Sequence, residues 1–272
     1  MLEKISLAGD LGSGKSTVAK IVIPRLGMEY FSTGVICRAI AVERGIDVEN
    51  MNIYMEQHPE IDLEIDIRLK PLSDDPRPLL IDSRMAWHFV RDTFRVYMST
   101  EPIVSAQRIF GAGRAEERFS SVEEADISIR SRRASESKRY MQFYGVDNRD
   151  LGNYDLILDS TYATPEEIAD YMIDAYEAWR KNKDTRACYI SPLRLYYPDE
   201  REEGESRPDL LAERIEAGER PLVDVQFDGE RFCVVSDPDV ALGYSLSSLP
   251  FVPCRLLPGK PAGNFVRMSD TL

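Results

Sequence analysis

The chain has 272 residues, 43% hydrophobic and 30% charged, and its 34 Lys plus Arg against 47 Asp plus Glu give a net charge of −13. That charge disfavours nonspecific binding to nucleic acid or anionic membrane, so any anion site has to be local. The four cysteines (Cys37, Cys188, Cys233, Cys254) lack C-x-x-C spacing, and no run of about 18 apolar residues occurs. Neither a zinc site nor a disulfide framework is suggested, and a start that goes straight into a strand points to a cytoplasmic protein without membrane or nucleic-acid partners.

Lys4 to Ala8 is an apolar strand running into Gly9-Asp10-Leu11-Gly12-Ser13-Gly14-Lys15-Ser16-Thr17, after which an amphipathic helix continues to Leu26. The backbone N–H groups of such a glycine-rich turn face a phosphate chain, and the helix that leaves it brings its positive dipole end to the same spot. Gly9, Gly14, Lys15 and Ser16 fit G-x-x-x-x-G-K-[ST]. In that pattern Lys15 reaches the β/γ-phosphates and the Ser16 hydroxyl is a ligand for Mg²⁺, so ATP and Mg²⁺ are the expected cofactors.

A short second strand, Met28 to Phe31, delivers Ser32-Thr33-Gly34, and a helix from Val35 to Arg44 carries Arg38 close to where the phosphate loop points. An arginine there is placed to fork onto the phosphate of a second substrate, with a solvated surface position as the alternative. Residues 50–77 are polar and acidic and are expected to form a helix and a short hairpin over the acceptor side. Pro78 to Asp82 is a third strand ending in a carboxylate, the pattern of an acid that holds Mg²⁺ through water. Arg84 emerges from the same strand edge, where open α/β sheets bind ligands; a helix-start surface arginine is its alternative. Phe94 to Met98 is a fourth strand, followed by a helix from about Pro102.

Between Arg108 and Arg139 an acidic protein turns locally basic, with Arg108, Arg114, Arg118, Arg130, Arg132, Arg133, Lys138 and Arg139 in one expected helical hairpin. Arg132, Glu136 and Arg139 fall on one helix face, where Glu136 is expected to hold both arginines. Alone, such a run reads as an exposed, salt-bridged helix. Downstream of a phosphate loop it reads as the row of guanidiniums that phosphoryl transfer needs, because the transition state spreads charge over phosphoryl oxygens. Tyr154 to Asp159 is a fifth strand. Thr164-Pro165-Glu166-Glu167 then opens the last helix of this region with an N-cap, proline at N1 and acids in the first turn. The alternation predicts an α/β fold: a P-loop three-layer α/β/α domain over residues 1–184 with a five-stranded parallel sheet.

These residues resemble the nucleoside monophosphate kinases, and within them the cytidylate kinases of the short archaeal type. The resemblance rests on Gly9 to Thr17, on Ser32 to Arg38, on Ile81 to Trp87, and on Arg133 to Tyr140 continuing through Gly145 to Asp159. It implies transfer of the ATP γ-phosphate to a nucleoside 5′-monophosphate, with CMP or dCMP foremost. By it the loop Gly9, Asp10, Leu11, Gly12, Ser13, Gly14, Lys15, Ser16 and Thr17 binds ATP together with Arg133. Ser32, Thr33, Gly34, Arg38 and Arg84 bind the acceptor, and Ser16 and Asp82 hold the metal. Lys15, Arg84, Arg132 and Arg139 are the implied catalytic groups, the last two closing over the donor as a lid. No general base is needed, since an acceptor phosphate is already anionic. Bacterial cytidylate kinases usually carry an Asp, a Gly and an acid where Ser32, Ser83 and Met85 stand here, and they have a long insert that is missing. Phosphate handling is left intact by these departures, while the base is left open. The alternatives are a P-loop kinase for another small acceptor and a nucleotide-binding sensor.

Residues 185–272 read as a small α+β domain: a helix from Pro208 to Ala217, a hairpin turned at Asp228-Gly229, a helix from Asp237 to Leu246, and a strand from Phe251 to Leu257. This order weakly resembles the ParB/sulfiredoxin-like fold, without its Gly-x-x-Arg-type phosphate motif. A regulatory, partner-binding or self-association role is expected for it.

Overall fold

The structure, a computed structural model, describes residues 3–46, 51–112, 119–199 and 207–267. Arg114 and Arg118 of the basic stretch lie outside the described residues. The first region runs β1 (Lys4–Gly9), α1 (Lys15–Leu26), β2 (Glu29–Ser32), α2 (Thr33–Arg44), α3 (Met51–Gln57), α4 (Pro59–Ile67), β3 (Leu79–Asp82), α5 (Ala86–Phe89), β4 (Phe94–Ser99), α6 (Pro102–Gly111), α7 (Val122–Tyr144), β5 (Leu156–Asp159) and α8 (Pro165–Lys181). The second runs β6 (Ala187–Ile190), β7 (Leu195–Pro198), α9 (Pro208–Glu216), β8 (Val223–Phe227), β9 (Phe232–Val234), α10 (Pro238–Leu246), β10 (Val252–Leu256) and β11 (Phe265–Arg267).

β2, β3, β1, β4 and β5 pair in that order, all parallel. β1 is central and buried along its whole length, Lys4 and Ser6 included; a parallel strand covered on both faces has no solvated side to alternate with. The chain order reverses at β1, with β3 on one side and β4 on the other, and this places a cleft at the carboxyl ends of the strands. One face is closed by α1 and α8, whose Val22, Tyr176 and Trp179 pack with Ile5, Leu7 and Phe94 of the sheet. α2, α3 and α4 pack a separate small core around Ile40, Met55 and Ile61. The expected hairpin in residues 50–77 is not found among the described residues; α3 and α4 stand there instead, parted at His58-Pro59.

The sheet does not stop at β5. β6 pairs parallel to it, with Ile157 opposite Cys188, and β10, β8, β9, β7 and β11 follow, giving eleven described strands in one sheet. The β8–β9 hairpin, α9 and α10 stand as the sequence predicts, whereas β6, β7 and β11 add to it. α9 and α10 cross closely at Gly243, where a Cβ would lie 2.8 Å from the Leu211 Cβ. Ala8, Tyr97, Tyr154 and Ile157 share one core with Val223, Val225, Tyr244 and Val252. No helix among the described residues is long and apolar enough to cross a membrane.

Candidate active site

Gly9 ends β1 at a φ of 143°, and a Cβ there would stand 2.3 Å from the Met98 carbonyl oxygen of β4. Only glycine turns the chain this close to the neighbouring strand. The loop then folds over itself: Ser13 Oγ donates to the Asp10 carbonyl at 2.8 Å, and Ser105 of α6 to the Leu11 carbonyl. Gly14, at a φ of 82°, starts α1, whose first residues are Lys15 and Ser16. Lys15 Nζ donates to the carbonyls of Gly9 (3.1 Å) and Asp10 (2.8 Å). Burial pulls its ammonium down to about 8, with Asp82 opposing and Arg84 assisting.

This loop opens one end of a cleft of about 710 Å³. The residues the sequence assigned converge on it: Leu11 to Thr17 of the loop, Ser32, Thr33, Gly34 and Arg38 at the start of α2, Asp82 and Arg84 after β3, and Arg132 and Arg139 of α7. Three of the assigned residues lie elsewhere. Gly9, Asp10 and Arg133 line a small hollow behind the loop. There the Asp10 carboxylate accepts from the Thr100 N–H (3.0 Å), Tyr97 Oη (3.1 Å) and Arg133 Nη2 (3.1 Å), which ties the loop to β4 and α7.

Glu136 stands in the wall between the two. Its Oε2 meets Arg84 Nε at 2.8 Å and its Oε1 meets Arg132 Nε at 3.1 Å, so one carboxylate aims a guanidinium from β3 and one from α7 into the cleft. Burial pushes this carboxyl up, but Arg84, Arg132 and Arg139 outweigh it and the net shift is downward. The expected pairing of Glu136 with Arg139 is corrected here: Arg84 takes that place, because Arg139 one turn further on reaches α4. Its Nε donates to Asp62 Oδ2 at 2.8 Å and its Nη1 to Ser135 Oγ at 2.7 Å, with the side chain 3% exposed.

Sequence reasoning named Arg108 in the basic stretch but missed Tyr30 and the acids of α4, all of which line the cleft. Tyr30 Oη donates to Asp82 Oδ2 at 2.7 Å and holds one oxygen of that carboxylate. Arg108 bridges the phosphate loop to the loop after β5. Asp62 and Asp66 of α4 make the part of the cleft lined by that helix acidic. Asp66 accepts from Tyr144 Oη, yet burial and the nearby Asp62 raise its carboxyl to about 6, against the opposing influence of Tyr144 and Lys70. The signal in sequence for the two acids was their i, i+4 spacing in a segment that alternates apolar and acidic residues. Met85, standing where an acid is usual in the resembled family, is buried with Leu79, Ile81 and Tyr140.

Ser16 and Asp82 offer a hydroxyl and a carboxylate, hard oxygen donors suited to Mg²⁺, which is commonly held by one or two protein oxygens plus phosphates and water. The arrangement can therefore grip a polyphosphate at one end and a second phosphate between Arg38, Arg84 and Arg132.

Residues 5–128 match a family described as an AAA domain. A cytidylate kinase of Sulfolobus acidocaldarius is 34% identical over 182 residues, covering 66% of this chain and 96% of the relative. A cytidylate kinase of Methanothermobacter thermautotrophicus is 35% identical over 156 residues, 57% of this chain and 94% of the relative. An S-adenosylmethionine-dependent nucleotide dehydratase of Lacinutrix mariniflava is 33% identical over 178 residues, and this chain spans only 36% of its length. Among solved structures, a protein from Eubacterium ventriosum superposes with a TM-score of 0.50 at 13% identity, over 65% of this chain and 99% of that one, a likeness of fold alone.

Proposed function

The chain belongs to the cytidylate kinase family of P-loop nucleoside monophosphate kinases, and from that premise we propose that it transfers the γ-phosphate of ATP to the 5′-phosphate of CMP or dCMP. An acceptor phosphate oxygen attacks the γ-phosphorus, the bond to the bridging oxygen breaks, and that electron pair leaves on ADP. Lys15 and the loop N–H groups hold the donor phosphates. Arg38 and Arg84 hold the acceptor, and Arg132 neutralises charge developing between them, which is positioning and electrostatics without a base. Ser16 and Asp82 would hold Mg²⁺, which would supply neutralisation of phosphate charge when bound.

The observation that carries this reading is the double grip of Glu136 on Arg84 and Arg132 within the cleft that Lys15 opens. Cytosine over uracil is supported by the acidic part of the cleft. Cytosine presents an exocyclic amine there that donates to a carboxylate, whereas uracil presents a carbonyl oxygen that a carboxylate repels. Asp66 is the acceptor we assign to that amine, with Asp62 held back by Arg139.

A coupled ADP-release screen of CMP, dCMP, UMP and AMP with Mg²⁺ tests it. Turnover is expected with CMP and dCMP first; turnover on none of the four, with a different small acceptor or with binding alone, would refute it. Asp66 also supplies a pH signature. Its carboxyl is raised to about 6, so below that pH it is mostly a neutral acid, a weaker acceptor and also a donor, and above it the charged and stronger acceptor. The ratio of kcat/KM for CMP over UMP is expected to fall as pH drops through about 6. The acceptor phosphate titrates in the same range but cancels in the ratio. Asp66→Asn is expected to lower the ratio by about tenfold and to flatten its pH dependence. An unchanged ratio would remove Asp66 from base selection.

A further inference from the structure

Residues 160–163, the loop after β5, form a wall of the cleft at its phosphate-loop end, with Ser160 and Ala163 in the lining. Arg108 ties this wall to the phosphate loop: its Nη2 donates to the carbonyls of Ser160 (2.7 Å) and Thr161 (3.1 Å), and its Nη1 reaches the Gly12 carbonyl at 3.5 Å. The root of the wall is Asp159, which is fully buried. Its Oδ1 accepts from the Thr161 N–H (3.1 Å) and Thr161 Oγ1 (2.5 Å), and its Oδ2 from the Ser191 N–H (3.1 Å).

The counter-charge for Asp159 comes from beyond residue 185. Arg194, 3% exposed, donates from Nη1 to Asp159 Oδ1 at 2.8 Å and to Ser99 Oγ at 2.7 Å, with its guanidinium 5.0 Å above the Phe232 ring. A second arginine of that segment grips the same wall from outside: Arg267 donates to Tyr162 Oη at 2.6 Å and to Glu101 Oε2 at 2.8 Å. Without Arg194, Asp159 loses the one arginine that donates to it directly and keeps only the more distant charge of Arg108, so a buried carboxylate is left short of its counter-charge and its hold on the loop weakens. That change loosens what Thr161 is bonded to, and through Arg108 it reaches the phosphate loop.

We propose that Arg194 is a positioning residue of the donor-nucleotide site, holding loop 160–163 through Asp159, so that the segment after residue 185 is built into ATP binding. This rests on the reading that the donor nucleoside lies at the phosphate-loop end of the cleft. The acceptor end is framed by α2, α4 and β3, on the far side of β1 from β5, and is independent of this anchor.

The test uses the full chain with Arg194→Gln, Arg194→Lys and Arg267→Gln. Arg194→Gln is expected to raise amide hydrogen exchange across residues 160–163 in ligand-free protein and to weaken a non-hydrolysable ATP analogue about tenfold, leaving CMP affinity within about twofold. Arg194→Lys, which keeps the charge, is expected to recover most of the loss, and kcat at saturating ATP should stay close to wild type. Wild-type exchange in the folded Arg194→Gln protein overturns the proposal, as does a parallel loss of CMP affinity. If Arg194→Gln does not fold, the half-exposed contact of Arg267 carries the same readout: its Gln variant must shift exchange and ATP affinity in the same direction, or the proposal fails. Analogue affinity unchanged by Lys15→Ala in a chain that keeps Arg194 would overturn the donor-site reading itself, a failure distinct from Lys15-dependent binding that ignores Arg194.

Discussion

Lys15 is held by the carbonyls of its own loop and sits in a site that lowers its ammonium to about 8, chiefly by burial. Above that pH the free protein carries a neutral amine where a phosphate needs a cation, so kcat/KM for ATP is expected to fall with a limb near 8, measured by initial rates across pH. Bound phosphate favours the ammonium, so the limb in kcat should lie higher. Lys15→Ala is expected to reduce kcat by about a thousandfold or more with the fold intact; near-wild-type turnover would refute the cradle assignment. Glu136 belongs to the same scale. Glu136→Gln leaves Arg84 and Arg132 without their shared anion and is expected to cost about 3 kcal/mol of stability and to raise the acceptor KM, read by thermal melts and initial rates. Its carboxyl is net lowered, so the stability it contributes is present above the ordinary glutamate range and is lost as pH falls below it. The loop glycines and the strand-end Asp82 were legible in sequence because their spacing states backbone geometry directly. The pairs Asp62–Arg139 and Tyr30–Asp82 were not, since each partner is chosen by how distant elements pack, and no local spacing encodes that.

α8 shows how an element can be read from its first turn. The Thr164 side chain accepts from the Glu167 N–H at 3.2 Å while the Glu167 side chain accepts from the Thr164 N–H at 2.8 Å, a reciprocal capping box with Pro165 at the first helical position. The helix so fixed buries Ile168, Ala169, Met172, Tyr176 and Trp179 against the sheet. Thr164→Ala is expected to cost about 1 kcal/mol and to lower Tm by roughly 2–4 °C, checked by calorimetry; no change would mean the box adds nothing beyond the packed face. Elements of this kind, long and periodic or sharply capped, account for the parallel strands and the helices between them being readable. The short ones were not. α3 and α4 have 7 and 9 residues, too few turns for an apolar stripe to separate from an alternating strand pattern, and a proline between them imitates a turn. β6, β7 and β11 have 4, 4 and 3 residues and exist because of partners supplied by other parts of the chain.

For the whole molecule the decisive feature is the edge at β5. Kinase relatives are covered almost to their full length by about two thirds of this chain, so the P-loop part is a unit that recurs without the remainder. We propose residues 1–184 as that catalytic unit and 185–272 as a second one built onto its sheet. In this chain, however, β6 covers β5 along Leu156 to Leu158, and Tyr97, Tyr154 and Ile157 are buried in a core shared with β8, α10 and β10. Arg194 and Arg267 add charged contacts across the same boundary, and Arg130 of α7 pairs with Glu230 of the β8–β9 turn at 2.7 Å. Removing residues 186–272 would strip Asp159 of Arg194, expose the ladder of β5 and uncover an aromatic face. Unpaired edges and contiguous apolar patches of that kind drive association. The truncated chain is therefore expected to melt several degrees below the full chain and to self-associate, by calorimetry and light scattering, while any monomer that persists keeps acceptor binding and loses ATP affinity. A truncated monomer that melts with the full chain and binds both nucleotides as tightly would show that the second unit is an appendage, and that the continuity of the sheet carries no energetic coupling to the cleft.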